Sequence, residues 1–338
     1  MAPAPLLPRR KARLKAPSEA GISSLAFDPR NGSILAAASE TSLFFINADT
    51  AFERSIENHT LGVTCMSSAI AAIAWNEWGQ NIASNTTNGR IYITDVERTD
   101  VIGSVGLQHR RIKKYGLEVL DSQCIAYNGA SSIIVSGSRS GLLVIADERT
   151  MCVHEVIDTN ERQFGIPSIA FNSTGHNLAV ASLEGIVRVY DMRMGVRAVL
   201  SSDDNHHYAE GRPAVHSPCW SVAYGKNHLE EYLVVSHRKG AIILYDSQLN
   251  VVRKNSMDGF HRHCPVVFKP NTRRFNCGDI ITGNPKGEIL FMSSGPWESS
   301  GPLVTKGGCI GALSVHPVQN VVASAGHYRN MGICLNEY

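Results

Sequence analysis

The chain repeats one phrase seven times: a short apolar strand, a turn, a second strand ending in small residues, then an apolar run closing on Asp or Asn. Ala26-Phe27, Ala74-Trp75, Ala126-Tyr127, Ala170-Phe171 and Ala223-Tyr224 mark five copies, and Val267-Phe268 and Ser314-Val315 mark weaker sixth and seventh ones. In the first four copies the closing Asn47, Asp95, Asp147 and Asp191 all fall 21 residues after the marking Ala. A register kept so closely makes the period, rather than any local motif, the main constraint on the fold. A chain built from one recurring unit buries its apolar faces by stacking the units against each other.

The marks lie 48, 52, 44, 53, 44 and 47 residues apart, slightly more than the roughly 40–45 residues of a four-stranded propeller blade. The surplus belongs in loops between units. In the fourth copy Ile166 to Gly175 reads as strand and turn, Asn177 to Ser182 as a second strand, Glu184-Gly185 as a tight turn and Ile186 to Asp191 as a third strand. No window sustains a 3.6-residue period. Gly89, Gly141, Gly185, Gly240 and Gly287 stand just before the third strands of copies two to six, where a two-residue hairpin needs positive φ.

With Ile22-Ser-Ser-Leu-Ala-Phe-Asp-Pro29, the small-residue strand Ala36-Ala-Ala-Ser39 and the endings Val189-Tyr-Asp191 and Leu244-Tyr-Asp246, nearly the whole chain resembles the WD-repeat β-propellers. The resemblance implies an all-β, seven-bladed ring. Two departures stand out: Trp-Asp never occurs, and the Asp expected before the hairpin glycine is replaced by Asn88, Ser140, Glu184, Lys239 and Lys286. The buried His-Ser-Asp-Trp network of typical blades is therefore expected to be missing from most copies, with packing resting mainly on apolar contacts.

The seventh copy stops at Ile333-Cys-Leu-Asn336-Glu-Tyr338, after its third strand. Residues 9–16 alternate, with Ala12, Leu14 and Ala16 on one side and Lys11, Arg13 and Lys15 on the other, as a half-buried edge strand does. Propellers of this family commonly close their ring by lending an N-terminal strand to the last blade, and this segment resembles such a clasp. The expected organisation is a flexible tail over 1–8 and a single propeller over 9–338. Its repeats run over about 22–58, 70–105, 122–158, 166–200, 218–254, 264–304 and 309–338 plus 9–16. The basic run from Pro8 to Lys15 also admits a nuclear-import signal or, with no acid before Glu19, part of a presequence, although Pro3, Pro5 and Pro8 oppose a presequence helix.

A net charge of +2 over 338 residues argues against a general nucleic-acid-coating role. Eight cysteines without framework spacing, several inside apolar strands, suggest reduced core residues of a cytoplasmic or nuclear protein. No apolar run approaches the ~20 residues that span a bilayer, and with no signal peptide expected the sequons at Asn58, Asn85 and Asn172 are assigned no role. His261-Arg-His263-Cys264 with Cys277 offers soft ligands but no paired Cys-x-x-Cys, so no metal is expected. No phosphate-binding loop and no Gly-x-Ser-x-Gly elbow occur, and Gly283-Asn-Pro-Lys-Gly287 reads as a hairpin turn. The chain is read as non-enzymatic and without a cofactor.

What remains is surface. Loops between second and third strands share one propeller face with the loops joining blades. That face collects Arg139, His237-Arg238-Lys239, Lys286, Arg329 and the blade-joining run with Arg110, Arg111, Lys113 and Lys114, against acids such as Glu40, Glu184 and Asp203-Asp204. The expectation is a docking face for an acidic or phosphorylated peptide within a hetero-complex. The long loop Ser201 to Ser217, with His206, His207 and His216, is expected to serve as a lid or a second contact, and plain solvated charge is the simpler alternative. Arg13 to Pro29 is similar to the opening of the spindle-checkpoint and nuclear-pore mRNA-export WD-repeat propellers, which bind a short partner peptide. Tyr190-Asp191-Met192-Arg193 resembles the Trp/Tyr-Asp-x-Arg box of propellers that present substrates to cullin-type ubiquitin ligases. That likeness implies adaptor contacts from Tyr190, Asp191 and Arg193 on the opposite face. A ribonucleoprotein subunit holding RNA on the basic face is the further alternative, to be separated by its steep salt dependence.

Overall fold

Each copy of the repeat becomes one four-stranded antiparallel sheet, and seven such sheets form the ring. The structure is a computed structural model describing residues 8–14, 20–53, 59–106, 121–129, 131–159, 164–193, 198–202, 217–226, 230–238, 240–256, 265–269, 279–293, 299–304, 309–326 and 332–338. No helix occurs among the described residues. The marking dipeptides lie on the first, innermost strands of the seven blades: Ser24–Phe27, Ile70–Trp75, Ser122–Tyr127, Ser168–Phe171, Cys219–Lys226, Val266–Phe268 and Ile310–Val315.

Second and third strands are buried on both faces, because each blade is packed between two neighbours. They therefore read as unbroken small or apolar runs rather than alternating ones. Ile34–Ser39 (ILAAAS) and Leu142–Asp147 (LLVIAD) are buried at all but one position each. Small residues such as Ala36, Ala83, Ala179 and Ala323 are fully buried, letting adjacent blades approach closely. The hairpin glycines fulfil their expected part: Gly89, Gly141, Gly185, Gly240 and Gly287 have φ between 78° and 95°. In blade one the same turn is made by Glu40 at φ 47°.

The ring closes as the N-terminal alternation predicts. Arg10–Leu14 pairs antiparallel with Ile333–Glu337, from Arg10 opposite Glu337 to Leu14 opposite Ile333, and supplies the outer strand of blade seven. Ala12 and Leu14 are buried while Arg10, Lys11 and Arg13 are exposed.

Apolar contact is not the whole of the packing between blades, and here the sequence expectation needs amending. At one equivalent position of the inner strand, Ser24, Ser168 and Ser221 each accept a backbone N–H from the next blade through Oγ. The donors are Ile73 at 3.4 Å, Val222 at 3.1 Å and Val266 at 3.2 Å. Ser314 accepts from Phe27 N–H across the closing joint at 3.1 Å. Between blades two and three the tie is Asn85, fully buried. Its Nδ2 donates to Cys124 O at 2.8 Å and Ser136 Oγ at 2.9 Å, and its Oδ1 accepts from Ala72 N–H. The sequon at Asn85 is thus closed inside a blade joint. Serines and one asparagine hold the inner ring where the usual blade network is absent.

Candidate functional site

Antiparallel blades put the hairpins between second and third strands, and the connections between blades, on one face; the remaining turns form the other. The sequence-predicted basic residues on the hairpin face do not share one electrostatic state. Arg139 pairs with Asp121 at 3.2 Å, and its backbone N–H donates to Asp121 O. Glu184 is closed by Arg188 at 3.2 Å, both side chains 19% exposed. Arg238 and Lys286, on the adjacent hairpins of blades five and six, are exposed and have no ion pair among the described residues. Their backbones are fixed: Arg238 N–H donates to Pro218 O, and Asn284 Oδ1 accepts from Lys286 and Glu288 N–H.

Lys239, Arg329, Arg110, Arg111, Lys113, Lys114 and the histidines of the Ser201 to Ser217 loop lie outside the described residues. Arg90, exposed beside Gly89, joins the same face from the position after a hairpin glycine, whereas Arg139, Arg238 and Lys286 precede theirs.

On the opposite face the Tyr190-Asp191-Met192-Arg193 box is a self-contained turn. Arg193 Nε donates to Asp191 Oδ1 at 3.0 Å and Nη2 to Oδ2 at 2.7 Å, and the Arg193 backbone N–H also bonds Oδ1. Those bonds hold the Asp191 carboxyl down at about 2. Arg149 N–H donates to Asp147 Oδ1 in the same way one blade earlier, so the pattern is a turn that the repeat reuses. Tyr190 is buried in the apolar cluster between blades three and four, and burial raises its pKa. Of the three residues only Arg193 stands out into solvent, and its planar fork is already matched to a carboxylate. The same face exposes Trp78, 65% accessible on a turn of blade two, and Val318, 60% accessible on a turn of blade seven.

For covalent chemistry, Cys219 Sγ lies 3.8 Å from His237 Nδ1. Both residues are buried, His237 Nδ1 also sits 2.9 Å from Ser217 O, and burial pushes the thiol up to about 12. A nucleophilic cysteine needs the opposite shift, so this pair is a core contact. No group of three or more His, Cys, Asp or Glu among the described residues could hold a metal ion.

Comparison with known proteins agrees with this architecture. The model of the WD domain, G-beta repeat, matches residues 152–191, which are the outer strand of blade three and the first three strands of blade four. Protein RBL of Arabidopsis thaliana is 25% identical over 210 residues, covering 60% of this chain and 36% of that protein. The chain spans about a third of the length of that curated relative. The ring defines a β-propeller. The molecule is a seven-bladed β-propeller, one stretch of which matches the WD domain, G-beta repeat; WD-repeat propellers generally work as non-enzymatic scaffolds for protein interaction.

Proposed function

We propose that this propeller docks an acidic or phosphorylated segment of a partner protein on its hairpin face, as one subunit of a larger complex in the cytoplasm or nucleus. The observation that carries this reading is the contrast along the face: Arg139 and Arg188 are answered by acids, whereas Arg238 and Lys286 stand exposed on neighbouring hairpin tips without an ion pair among the described residues. Two cations on fixed backbones attract an anionic segment at long range and orient it at short range, at little cost in backbone ordering.

The test is the double variant Arg238→Glu and Lys286→Glu, with affinity purification and quantitative mass spectrometry of bound partners at low and high salt. Hairpin tips are carried by the strands behind them, so the melting curve should stay within about 0.5 kcal/mol of wild type. Partners held by the face should be depleted, and those remaining should bind with weaker salt dependence. An unchanged partner set would sink the reading. Partners that disappear on nuclease treatment, with affinity falling steeply as salt rises, would replace it with RNA binding.

A further inference from the structure

The outer strands of the blades are the sheet edges on the outside of the ring, and they are not equally guarded. In five blades the outer strand carries a bulge at the same place, which leaves Leu61, Ile102, His154, Val199 and Val252 unmatched by the third strand. Apart from the bulge, the outer strands of the other six blades carry features that oppose further pairing to different degrees. Blade seven exposes Lys11 and Arg13. Blade three carries Glu155 and an exposed Asp158, and blade five has Arg253 and an exposed Lys254. Blade six has Pro302, which offers no N–H. Blade four's outer strand is only the four residues Ala198–Ser201. Blade two begins with an exposed Asp100 and continues beyond its bulge with Gly103 and Ser104.

Blade one has a full-length outer strand without the charge or proline seen in the others, although Gly62 stands where blade two has Gly103. Thr60–Cys65 (TLGVTC) contains no charge and no proline, and Leu61, Val63 and Cys65 are exposed. Leu61 is 55% and Val63 46% accessible. The bond from Met66 N–H to Thr41 O at 2.7 Å fixes the parity of the ladder. Thr64 and Gly62 bond inward to the third strand, and Val63 and Cys65 turn their N–H and C=O groups outward. Those two side chains lie on one side of the blade, beside Phe44 and Ser42 opposite them. Outward backbone groups and an uncharged exposed stripe thus fall on the same residues.

We propose that this edge of blade one takes an extended segment of a partner protein as a fifth strand, with apolar side chains at every second position of that segment. The backbone groups of Val63 and Cys65 select an extended chain. Val63 and Cys65, which share one side of the strand, select apolar residues on the side that lies against them, because directly opposed residues of paired strands share a side. Blade seven already accepts a strand from a distant part of the sequence in this manner. The edge is separate from the hairpin face, and neither reading depends on the other.

The experiment uses the full chain and a displayed library of linear peptides as probe. Enriched peptides should alternate apolar residues and should protect the Val63 and Cys65 amides from hydrogen exchange. Val63→Lys, at a site open enough to keep the fold, should weaken them by about tenfold or more, since docking would bury an unpaired charge. On the wild-type protein, N-methylation of the peptide amides that face the edge should abolish binding, while methylation of the alternate set should not. Three results would overturn the proposal: no peptide enriched; peptides indifferent both to Val63→Lys and to the methylation pattern; or concentration-dependent dimerisation that Val63→Lys removes, which would make a second copy the occupant.

Discussion

The joint between blades two and three and the joint between blades seven and one solve the same packing problem with different means. In the first the two blades are consecutive in the sequence, the apolar cluster is modest, and Asn85 bonds partners in both blades. In the second the two blades come from opposite ends of the sequence. There the longest apolar cluster among the described residues runs from Ala12 and Leu14 through Phe27, Leu35 and Phe44 to Ala323 and Leu335, helped by single bonds such as Ile22 N–H to Gly326 O at 3.2 Å. Where connectivity holds the blades side by side, a directional polar tie suffices to set register. Where it does not, apolar area must supply the affinity of one end of the chain for the other.

The largest effect should come from breaking the second joint. Removing residues 1–14 strips the pairing from Ile333–Glu337 and uncovers the cluster around Leu335. A fall in melting temperature on the order of 10 °C, or aggregation through the bare edge, is expected in scanning calorimetry. A truncated chain that melts with the intact one would mean that the clasp adds nothing to closure.

Breaking the first joint should cost less but leave a sharper signature. Asn85→Ala strands Ala72 N–H and Cys124 O at a buried joint, an expected loss of about 3 kcal/mol by denaturant titration. Ser168→Ala removes one bond at a comparable joint and should cost about 1 kcal/mol. Equal losses at the two sites would contradict the view that Asn85 is the lock of its joint.

The smallest effect distinguishes the joints by pH. His316 lies at the closing joint, its ring 5.2 Å from that of Phe27. Its Nδ1 accepts N–H from Val318 at 3.1 Å and Gln319 at 2.9 Å. Burial lowers its pKa below 6.5, although Asp49 and Asp28 nearby pull the other way. The unfolded chain therefore takes up the proton first, so the stability this residue supplies is full above pH 6.5 and declines as the pH falls from there towards the folded pKa. Asn76 and Asn172 occupy the same place in blades two and four and accept turn N–H groups through Oδ1. His316→Asn should keep the turn and flatten the loss of melting temperature between about pH 6.5 and 5. An unaltered slope would assign that acid sensitivity elsewhere.

Much of the frame was legible because it is periodic. Ala12 and Leu14 announced the clasp by alternation, and the marks on the inner strands announced seven blades by spacing. The candidate surface was legible only as a set of charges. Arg139 and Arg238 occupy equivalent places two residues before a hairpin glycine and are indistinguishable in the sequence, yet Asp121 answers one of them. Arg193 reads as a projecting anchor, yet it folds back on Asp191. Asn85 reads in the sequence only as a sequon without a role, yet its side chain makes three hydrogen bonds at its joint.

The sequence by itself determined the repeat, the number of blades, the turns that need positive φ and the strand that closes the ring, because each depends on near neighbours or on a count along the chain. Only the tertiary structure decided which polar groups hold the inner ring, which exposed cations stand without an ion pair among the described residues and which backbone groups of an outer strand face outward. The partners of Ser24, Asn85, Ser168 and Ser221 across the joints lie 39 to 54 residues away. Outward backbone at Val63 follows from ladder parity set by Met66 and Thr41. Hydrogen bonds and ion pairs act over a few ångströms, so their pairing follows from how the ring brings distant copies together rather than from any one copy's composition.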